Sequence, residues 1–274
     1  ERTWPCQVCL ESAKQETIKL IDMLTKDFGF SSNEVMTSFS GHRGYHVHME
    51  NLEVRRMDSM NRKEIVDYIT ATGLETEFHG LGRAGSRGVE AFEGPSVNDY
   101  GWRGRIAKGT YEFIKDSTRD DLEHLGLRKK TVDAIIANKD AILNSGQSSG
   151  PWNLAKGLGP ESWNLILQQS LKAESAKIDT VVTTDIHRLI RLANTLHGKT
   201  GLMKVAFPTT DIEQFDPFKE AVAFKEGEAT IFVNEAPQLR LGDETFGPFR
   251  NENVELPMAA AILLLCKGLA QVAE

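Results

Sequence analysis

The segment 34–49 constrains the fold more tightly than any other part of this chain. Glu34–Ser40 alternates, with Val35, Thr37 and Phe39 on one face, which predicts a strand. Gly41-His42-Arg43-Gly44 interrupts the alternation, and Tyr45–Met49 resumes it as a second strand. A strand–turn–strand unit follows, with its turn carrying an arginine between two glycines.

The rest of the chain is read around that unit. Leu10, Ala13, Thr17, Leu20, Ile21, Leu24 and Phe28 recur at three- and four-residue spacing and predict a helix over 10–28, with Gly29 as its C-cap. The Asn61-x-x-Glu64 pattern opens a helix to about Leu74. Residues 80–110 are rich in Gly and Arg, and helical spacing returns over 109–143 and, after the loop Ser145–Pro151, over 160–173. An apolar strand is predicted over 178–182 and a helix over 183–193. Further strands are predicted at Ala229–Val233 and Gln238–Leu241, and Pro257 opens a closing helix, Met258–Val272. This order of elements predicts an α+β fold. Residues 1–58 and 176–274 form one mixed core, and a mainly helical insertion, 59–175, splits it.

Composition narrows the class. The chain carries 39 Asp+Glu against 32 Lys+Arg, a net charge of -7, which argues against a protein that coats nucleic acid by bulk charge and leaves room for a local basic cleft. The longest apolar run, Met258–Cys266, is nine residues ended by Lys267, against the ~20 a bilayer span requires. No basic segment followed by an apolar one opens the chain, and the cysteines at 6, 9 and 266 make no disulfide framework, so a reducing cytoplasm is the expected location. Cys266, within the apolar run, is expected to pack as a small hydrophobe.

Two segments carry candidate chemistry. In Ser40-Gly41-His42-Arg43-Gly44-Tyr45-His46 the glycines allow close backbone approach to an anion, and Arg43 offers a planar fork for phosphate. Read by itself, the same segment is also an ordinary hairpin with its polar residues in water. In the stretch from Ile178 to Gly201, Asp179 leaves an apolar strand where an oxygen ligand for Mg²⁺ or Mn²⁺ is well placed. Arg188 and Arg191 share a helical face, and His197, Lys199 and Gly201 add a small anion-binding cluster. By itself this too reads as a capped helix with a solvated basic face.

Together the two segments resemble the small catalytic subunit of the archaeal and eukaryotic DNA primase, most closely the archaeal form. That family's SGxRGxH and hD…RLIR…LHGKTG patterns appear as Ser40–His46 and as Ile178-Asp179, Arg188–Arg191 and Leu196–Gly201. Gly247-Pro248-Phe249 and Val254–Pro257 extend the likeness over essentially the whole chain. The resemblance implies DNA-templated synthesis of short RNA primers for replication by two-metal nucleotidyl transfer. It implies Asp179 as a catalytic, metal-binding carboxylate and His197 as a second catalytic position. Ser40, Arg43, His46, Arg191 and Lys199 become contacts to the incoming nucleotide. The implied cofactors are Mg²⁺ or Mn²⁺ and a structural Zn²⁺. The implied partners are nucleoside triphosphates, a single-stranded DNA template and a large, iron–sulfur-bearing primase subunit.

Asp185, six residues further on, competes with Asp179 and reads instead as a cap or ion-pair partner, while His48 and His187 match no functional position of the family. The family's apolar-Asp-x-Asp pair, upstream of its zinc ligands, does not occur in residues 1–274. The chain opens at Glu1 onto Cys6-Gln7-Val8-Cys9, half of a zinc knuckle, and reads as a truncated piece expected to make no primers alone. Arg83, Arg87, Arg103 and Arg105, with Tyr100 and Trp102 beside them, are the candidates for template contact. Two other readings stand beside this one: a nucleotide- or single-strand-binding module without polymerase chemistry, and a primase-like polymerase of the end-joining type.

Overall fold

The computed structural model describes Trp4 and residues 6–76, 82–84, 91–145, 152 and 158–273. The chain divides into two units: one takes the described residues of Glu1–Thr25, Gly29–Ser59 and Asp185–Glu274, the other Lys26–Phe28 and Met60–Thr184.

The first unit opens on helix α1 (Gln7–Lys26), followed by strands β1 (Val35–Phe39) and β2 (Tyr45–Met49) and the short helix α2 (Leu52–Arg55). Leu10, Thr17 and Leu24 lie seven residues apart and are buried along one face of α1. Lys14 shares that stripe, and its ammonium donates to the carbonyls of Glu213 (3.2 Å) and Phe215 (3.0 Å). A cation thus sits in the core-facing stripe because the end of a neighbouring turn supplies its acceptors. Gly29, at φ 75°, takes the left-handed conformation that follows the helix. β1 and β2 are antiparallel in the register Phe39↔Tyr45 to Val35↔Met49, so the predicted strand–turn–strand unit is present.

The second unit is helical. It contains α3 (Ser59–Thr70), the strand pair β3 (Gly82–Ala84) and β4 (Ala91–Glu93), α4 (Gly101–Asp116), α5 (Arg119–His124), α6 (Lys129–Ala137), α7 (Lys139–Ser145), α8 (Pro160–Glu174) and α9 (Thr180–Thr184). α4 and α8 pack through Ile106, Ala107, Trp163, Ile166 and Leu167, all buried, and the Thr110 and Ser170 hydroxyls bond across that contact at 3.1 Å.

The chain then returns to the first unit with β5 (Val205–Pro208), α10 (Pro217–Glu220), β6 (Glu228–Ala236), β7 (Leu239–Leu241), β8 (Glu244–Phe246), β9 (Phe249–Pro257), α11 (Met258–Cys266) and β10 (Ala270–Val272). β5 pairs antiparallel with β1, giving the order β2-β1-β5, and a second antiparallel sheet has the order β10-β6-β9. Phe39, Phe207, Phe215, Phe218, Ile231, Leu256 and Leu263 fill the core of this unit, with the Phe207 and Phe215 rings stacked 4.0 Å apart. Helices with separate antiparallel sheets make the fold α+β, as expected. No helix among the described residues is long and apolar enough to cross a membrane.

Several local expectations are corrected. Residues 178–182 form no strand: Thr180–Thr184 is a single helical turn, entered where the Asp179 carboxylate accepts the Val181 N–H at 3.2 Å. The side chain supplies the backbone partner that a neighbouring strand would have supplied. The helix expected over 183–193 is also absent. There the Asp185 carboxylate accepts the His187 N–H (3.0 Å), Asn194 adopts φ 62°, and the chain pairs with 202–204 through Asn194 N–H to Lys204 O (2.8 Å) and His197 N–H to Leu202 O (2.8 Å). The closing helix stops at Cys266 rather than Val272, because Gly268 at φ 70° turns the chain into β10. Cys266 is exposed, so its packing role is not realised.

Inside the second unit a buried ion pair joins α4 to Asp27. Arg105 donates to the Asp27 carboxylate from Nε (2.6 Å) and Nη2 (3.1 Å), and Tyr68 O–H donates to the same carboxylate at 2.9 Å. Both charged side chains are 9% exposed. Burial and the adjacent carboxylate push the Tyr68 phenol well above its usual value. Removing Asp27 leaves Arg105 charged and buried, without its bidentate partner and with the Glu174 carboxylate 3.9 Å away. Asp27→Ala is expected to lower the unfolding free energy by about 3–5 kcal/mol, read from urea melts; a loss under about 1 kcal/mol would show the pair to be worth no more than a surface pair.

Candidate functional site

The turn between β1 and β2 and the segment 196–204 meet in the first unit, although some 150 residues separate them. The join is a side-chain hydroxyl on a backbone carbonyl. Thr200 Oγ1 donates to the Gly41 carbonyl at 2.6 Å and accepts from the Leu202 N–H at 3.2 Å, while the side chain is 1% exposed. Gly41 is at φ 81°, and a Cβ there would lie 3.0 Å from the Leu202 carbonyl oxygen and 3.1 Å from His197 Cβ. Only glycine has both the conformation and the room. On the other side of the turn a Cβ at Gly201 (φ 69°) would meet Ile262 of α11 at 2.8 Å, so the segment is clamped between the β1–β2 turn and the closing helix.

Ser40 sets the shape of the first loop. Its N–H donates to the Gly44 carbonyl at 2.9 Å, and its hydroxyl accepts from the His42 and Gly44 N–H groups, each at 3.3 Å. The Ser40 hydroxyl thus commits its acceptor side to the loop. Arg43, at the tip, is exposed. The His42 and His197 rings stack 4.5 Å apart, His197 Nδ1 accepts the Lys199 N–H at 3.2 Å, and Lys199 is exposed beside them. Arg191 Nη1 donates to the Leu196 carbonyl at 3.3 Å, and the buried ammonium of Lys204 donates to the Arg191 carbonyl at 2.9 Å. The structure therefore brings together Ser40, Arg43, Arg191, His197 and Lys199, and Arg191 also acts on His46. Arg188 and Arg191 do not share a helical face, since their segment is not helical.

The electrostatics are one-sided. Burial lowers the His42 imidazole from 6.5 to about 4, and the charged groups that act on it most strongly, His197, Arg43, Lys267 and Lys199, lower it further. Burial also lowers His197, with Arg191, Lys199 and Lys267 adding to it, and lowers His46, where Lys204, His48, Arg188 and Arg191 act in the same direction. The Lys204 and Lys267 ammonium groups are held below the usual lysine value by burial and by neighbouring arginines, Arg43 in the case of Lys267. The charged neighbours that shift these five groups are lysines, arginines and imidazoles. Two buried ring nitrogens, His42 Nε2 and His46 Nδ1, have no hydrogen-bond partner among the described residues. A seat lined by cations and orphaned polar atoms is complementary to a multiply charged anion.

Asp179 and Asp185 fall on opposite sides of the boundary between the units, Asp179 in the second and Asp185 in the first. Asp179, the residue expected to hold metal, is exposed, and its carboxylate caps the start of α9. Among the described residues no group of three or more His, Cys, Asp or Glu side chains is placed to hold a metal ion. The Cys9 N–H donates to Cys6 Sγ at 3.4 Å, and hydrogen bonding with the Cys6 side chain raises the Cys9 thiol above its usual value. Two thiols alone do not complete a tetrahedral site.

The template candidates separate. Arg105 is not a template contact: it is buried and committed to Asp27. Trp102 is 4% exposed, with its indole N–H on the Tyr68 carbonyl, and offers no stacking face. Arg103 pairs with Asp99 at 3.1 Å on the surface, beside the exposed Tyr100. Arg83 lies on β3, and Arg87 lies outside the described residues. His48 bonds to the Ser38 hydroxyl at 3.2 Å, and His187 is exposed in its turn. The cluster members that sequence reasoning missed are His42, Thr200, Lys204 and Lys267. Lys267 left one signal, as the cation that ends the apolar run.

The comparisons with known proteins bear on the same segments. A family model described as DNA primase small subunit matches residues 4–208. The chain is 36% identical to the DNA primase small subunit PriS of Methanothrix thermoacetophila, over 96% of this chain and 71% of that protein. It is 33% identical to PriS of Methanococcoides burtonii over 96% of this chain and 70% of that protein, and 31% identical to PriS of Cenarchaeum symbiosum over 98% and 62%.

The lowered histidines give a pH dependence with a definite sign. Below the ordinary value of 6.5 the unfolded chain takes up protons that folded His42 refuses until about pH 4, so stability is lost as pH falls through that window. The urea midpoint is expected to drop between about pH 7.5 and about pH 5.5, and to drop less in His42→Phe, which keeps the stacked ring. An equal drop in parent and variant would show that His42 is not among the titrating groups.

Proposed function

This chain belongs to the DNA primase small-subunit family, and on that premise we propose that the seat between the Gly41–Gly44 loop and the Gly198–Gly201 turn receives the triphosphate of an incoming nucleotide during DNA-templated primer synthesis. The observation that carries this reading is the Thr200–Gly41 bond, which brings the loop of Arg43 against the turn of Lys199 and His197; Arg43, Lys199 and Lys267 are the cations gathered there. Repulsion among these groups is tolerated in the free protein and relieved by a polyanion, so binding energy is concentrated on the phosphates. Arg43 contributes a planar fork, and the glycine-flanked loop contributes backbone N–H groups.

His46 and His197 are read as neutral imidazoles, since burial lowers both, and a neutral ring presents one donor and one acceptor. The orphaned His46 Nδ1 suits a hydrogen bond to the bound nucleotide. Ser40 acts through the loop it shapes, and Arg191 through the turn it braces at Leu196.

Mg²⁺ or Mn²⁺ in this reaction would neutralise the phosphates and activate the attacking hydroxyl. Of the carboxylates that the family uses to hold them, these 274 residues supply Asp179 and no Asp-x-Asp pair. The described residues do not build that site, and the binding argument runs through the protein cations alone. Zn²⁺ on Cys6 and Cys9, a large-subunit partner and a single-stranded template follow from family membership and belong to the same proposal.

Two tests apply. Arg43→Ala is expected to weaken binding of ATP with Mn²⁺ by tenfold or more, about 1.4 kcal/mol, in calorimetric titration. Binding untouched by the substitution would remove Arg43 from the phosphate seat. The purified 274-residue chain is expected to form no oligonucleotide from nucleoside triphosphates on single-stranded DNA; product dependent on that template would show the carboxylate pair to be dispensable.

A further inference from the structure

The residue that ends the apolar helix is drawn into the cluster by packing. Ile262 of α11 fills the space at Gly201, and one turn later Lys267 caps the helix, its N–H donating to the Leu263 carbonyl at 3.0 Å. Its ammonium lies 5.3 Å from the centroid of the Trp4 ring, which itself packs on the core. A cation over an aromatic face is attracted to the ring and keeps its remaining hydrogen-bonding directions open. The backbone of this lysine is thus tied to α11, and one side of its ammonium lies on Trp4.

Two other charged groups act on the ammonium. They are Arg43 and Lys199, one from each of the two loops, and Lys267 in turn acts on both stacked imidazoles, His42 and His197. A half-buried lysine facing two other cations, with no carboxylate ion pair among the described residues, has no structural counter-ion to hold it there.

We infer that Lys267 is a third protein cation of the phosphate seat, reaching the same polyphosphate as Arg43 and Lys199 from the helix that clamps the Gly198–Gly201 turn, with Trp4 holding its ammonium in place. The inference rests on the triphosphate reading and extends it to the far end of the chain, giving the seat one cation from each of three separate elements. A compact ammonium suits this position, since it serves any phosphate oxygen as a point charge and leaves bidentate geometry to Arg43.

The test is titration of the 274-residue chain with inorganic tripolyphosphate, which carries the charge without base or sugar. Lys267→Met keeps an unbranched stem against Trp4 and removes the charge; it is expected to weaken binding fivefold or more with little change in the melting temperature. Lys267→Arg is expected to stay within about twofold of the parent. Lys219→Met, which removes the same charge where Asp243 already pairs it, is the control and is expected to change little. If Lys267→Met binds like the parent while Arg43→Ala is weakened, the Lys267 assignment fails and the phosphate seat stands. If Lys219→Met falls as far as Lys267→Met, the effect is net charge and the assignment fails. If Arg43→Ala binds normally while Lys267→Met is weakened, the two-loop reading fails and Lys267 stands as an anion contact. If the parent chain does not bind tripolyphosphate, both fail together.

Discussion

The hydroxyl of Thr200 on the carbonyl of Gly41 is the contact through which the other features of the site are arranged. It is short, buried and made between two backbone segments that are remote in sequence, so it orders both loops at once. It also explains the glycine. The bond forms only if the carbonyl of residue 41 comes against the 197–202 turn, and any side chain there would strike Leu202 or His197. With the bond in place, the stacking of His42 on His197 and the adjacency of Arg43 and Lys199 follow from loop geometry and need no attraction between the groups themselves.

Holding like charges together costs energy, and the source of the offset is visible. The first unit carries a continuous apolar core running from Leu10 through the phenylalanines at 39, 207, 215 and 218 to the leucines of α11. That core fixes the frameworks, β1 on one side and α11 on the other, from which the cationic residues project. Hydrophobic burial is non-directional and large in sum, so it can hold a locally unfavourable electrostatic arrangement that hydrogen bonds alone would release. The same reasoning places the buried Asp27–Arg105 pair in a different class. It is compensated and serves the packing of the helical unit, whereas the cluster around Arg43 gathers cations from separate elements and is suited to a ligand.

Strands were legible where both period and punctuation agreed. Val35–Phe39 and Tyr45–Met49 alternate cleanly and are separated by glycines, and both form as read. The stretch 178–193 misled because its β-branched and apolar residues, from Val181 to Leu192, fit strand and helix patterns without forming either beyond one turn. Asp179 and Asp185 each satisfy a nearby backbone N–H, and the backbone that follows pairs with 202–204 instead. Arg105 and Trp102 misled for a related reason: adjacent basic and aromatic residues look alike whether they face a nucleic acid or a protein interior. Their spacing, three apart on α4, also fits one buried helical face, and Asp27 and the Tyr68 carbonyl complete them there.

What the sequence by itself determined is local and chemical: the strand–turn–strand unit, the need for glycine around Arg43, the apolar helix before Lys267, and the pairing of motifs that marks the family. Those depend on side-chain periodicity and residue type over a few positions, which a linear string records in full. What only the tertiary structure decided is which charges share a neighbourhood. Lys267 lies far from Arg43 in sequence and enters the cluster only because Ile262 packs on Gly201, and Arg105 leaves the surface only because Asp27 is buried beside it. Proximity between distant charges is set by core packing, and packing is a property of the folded whole.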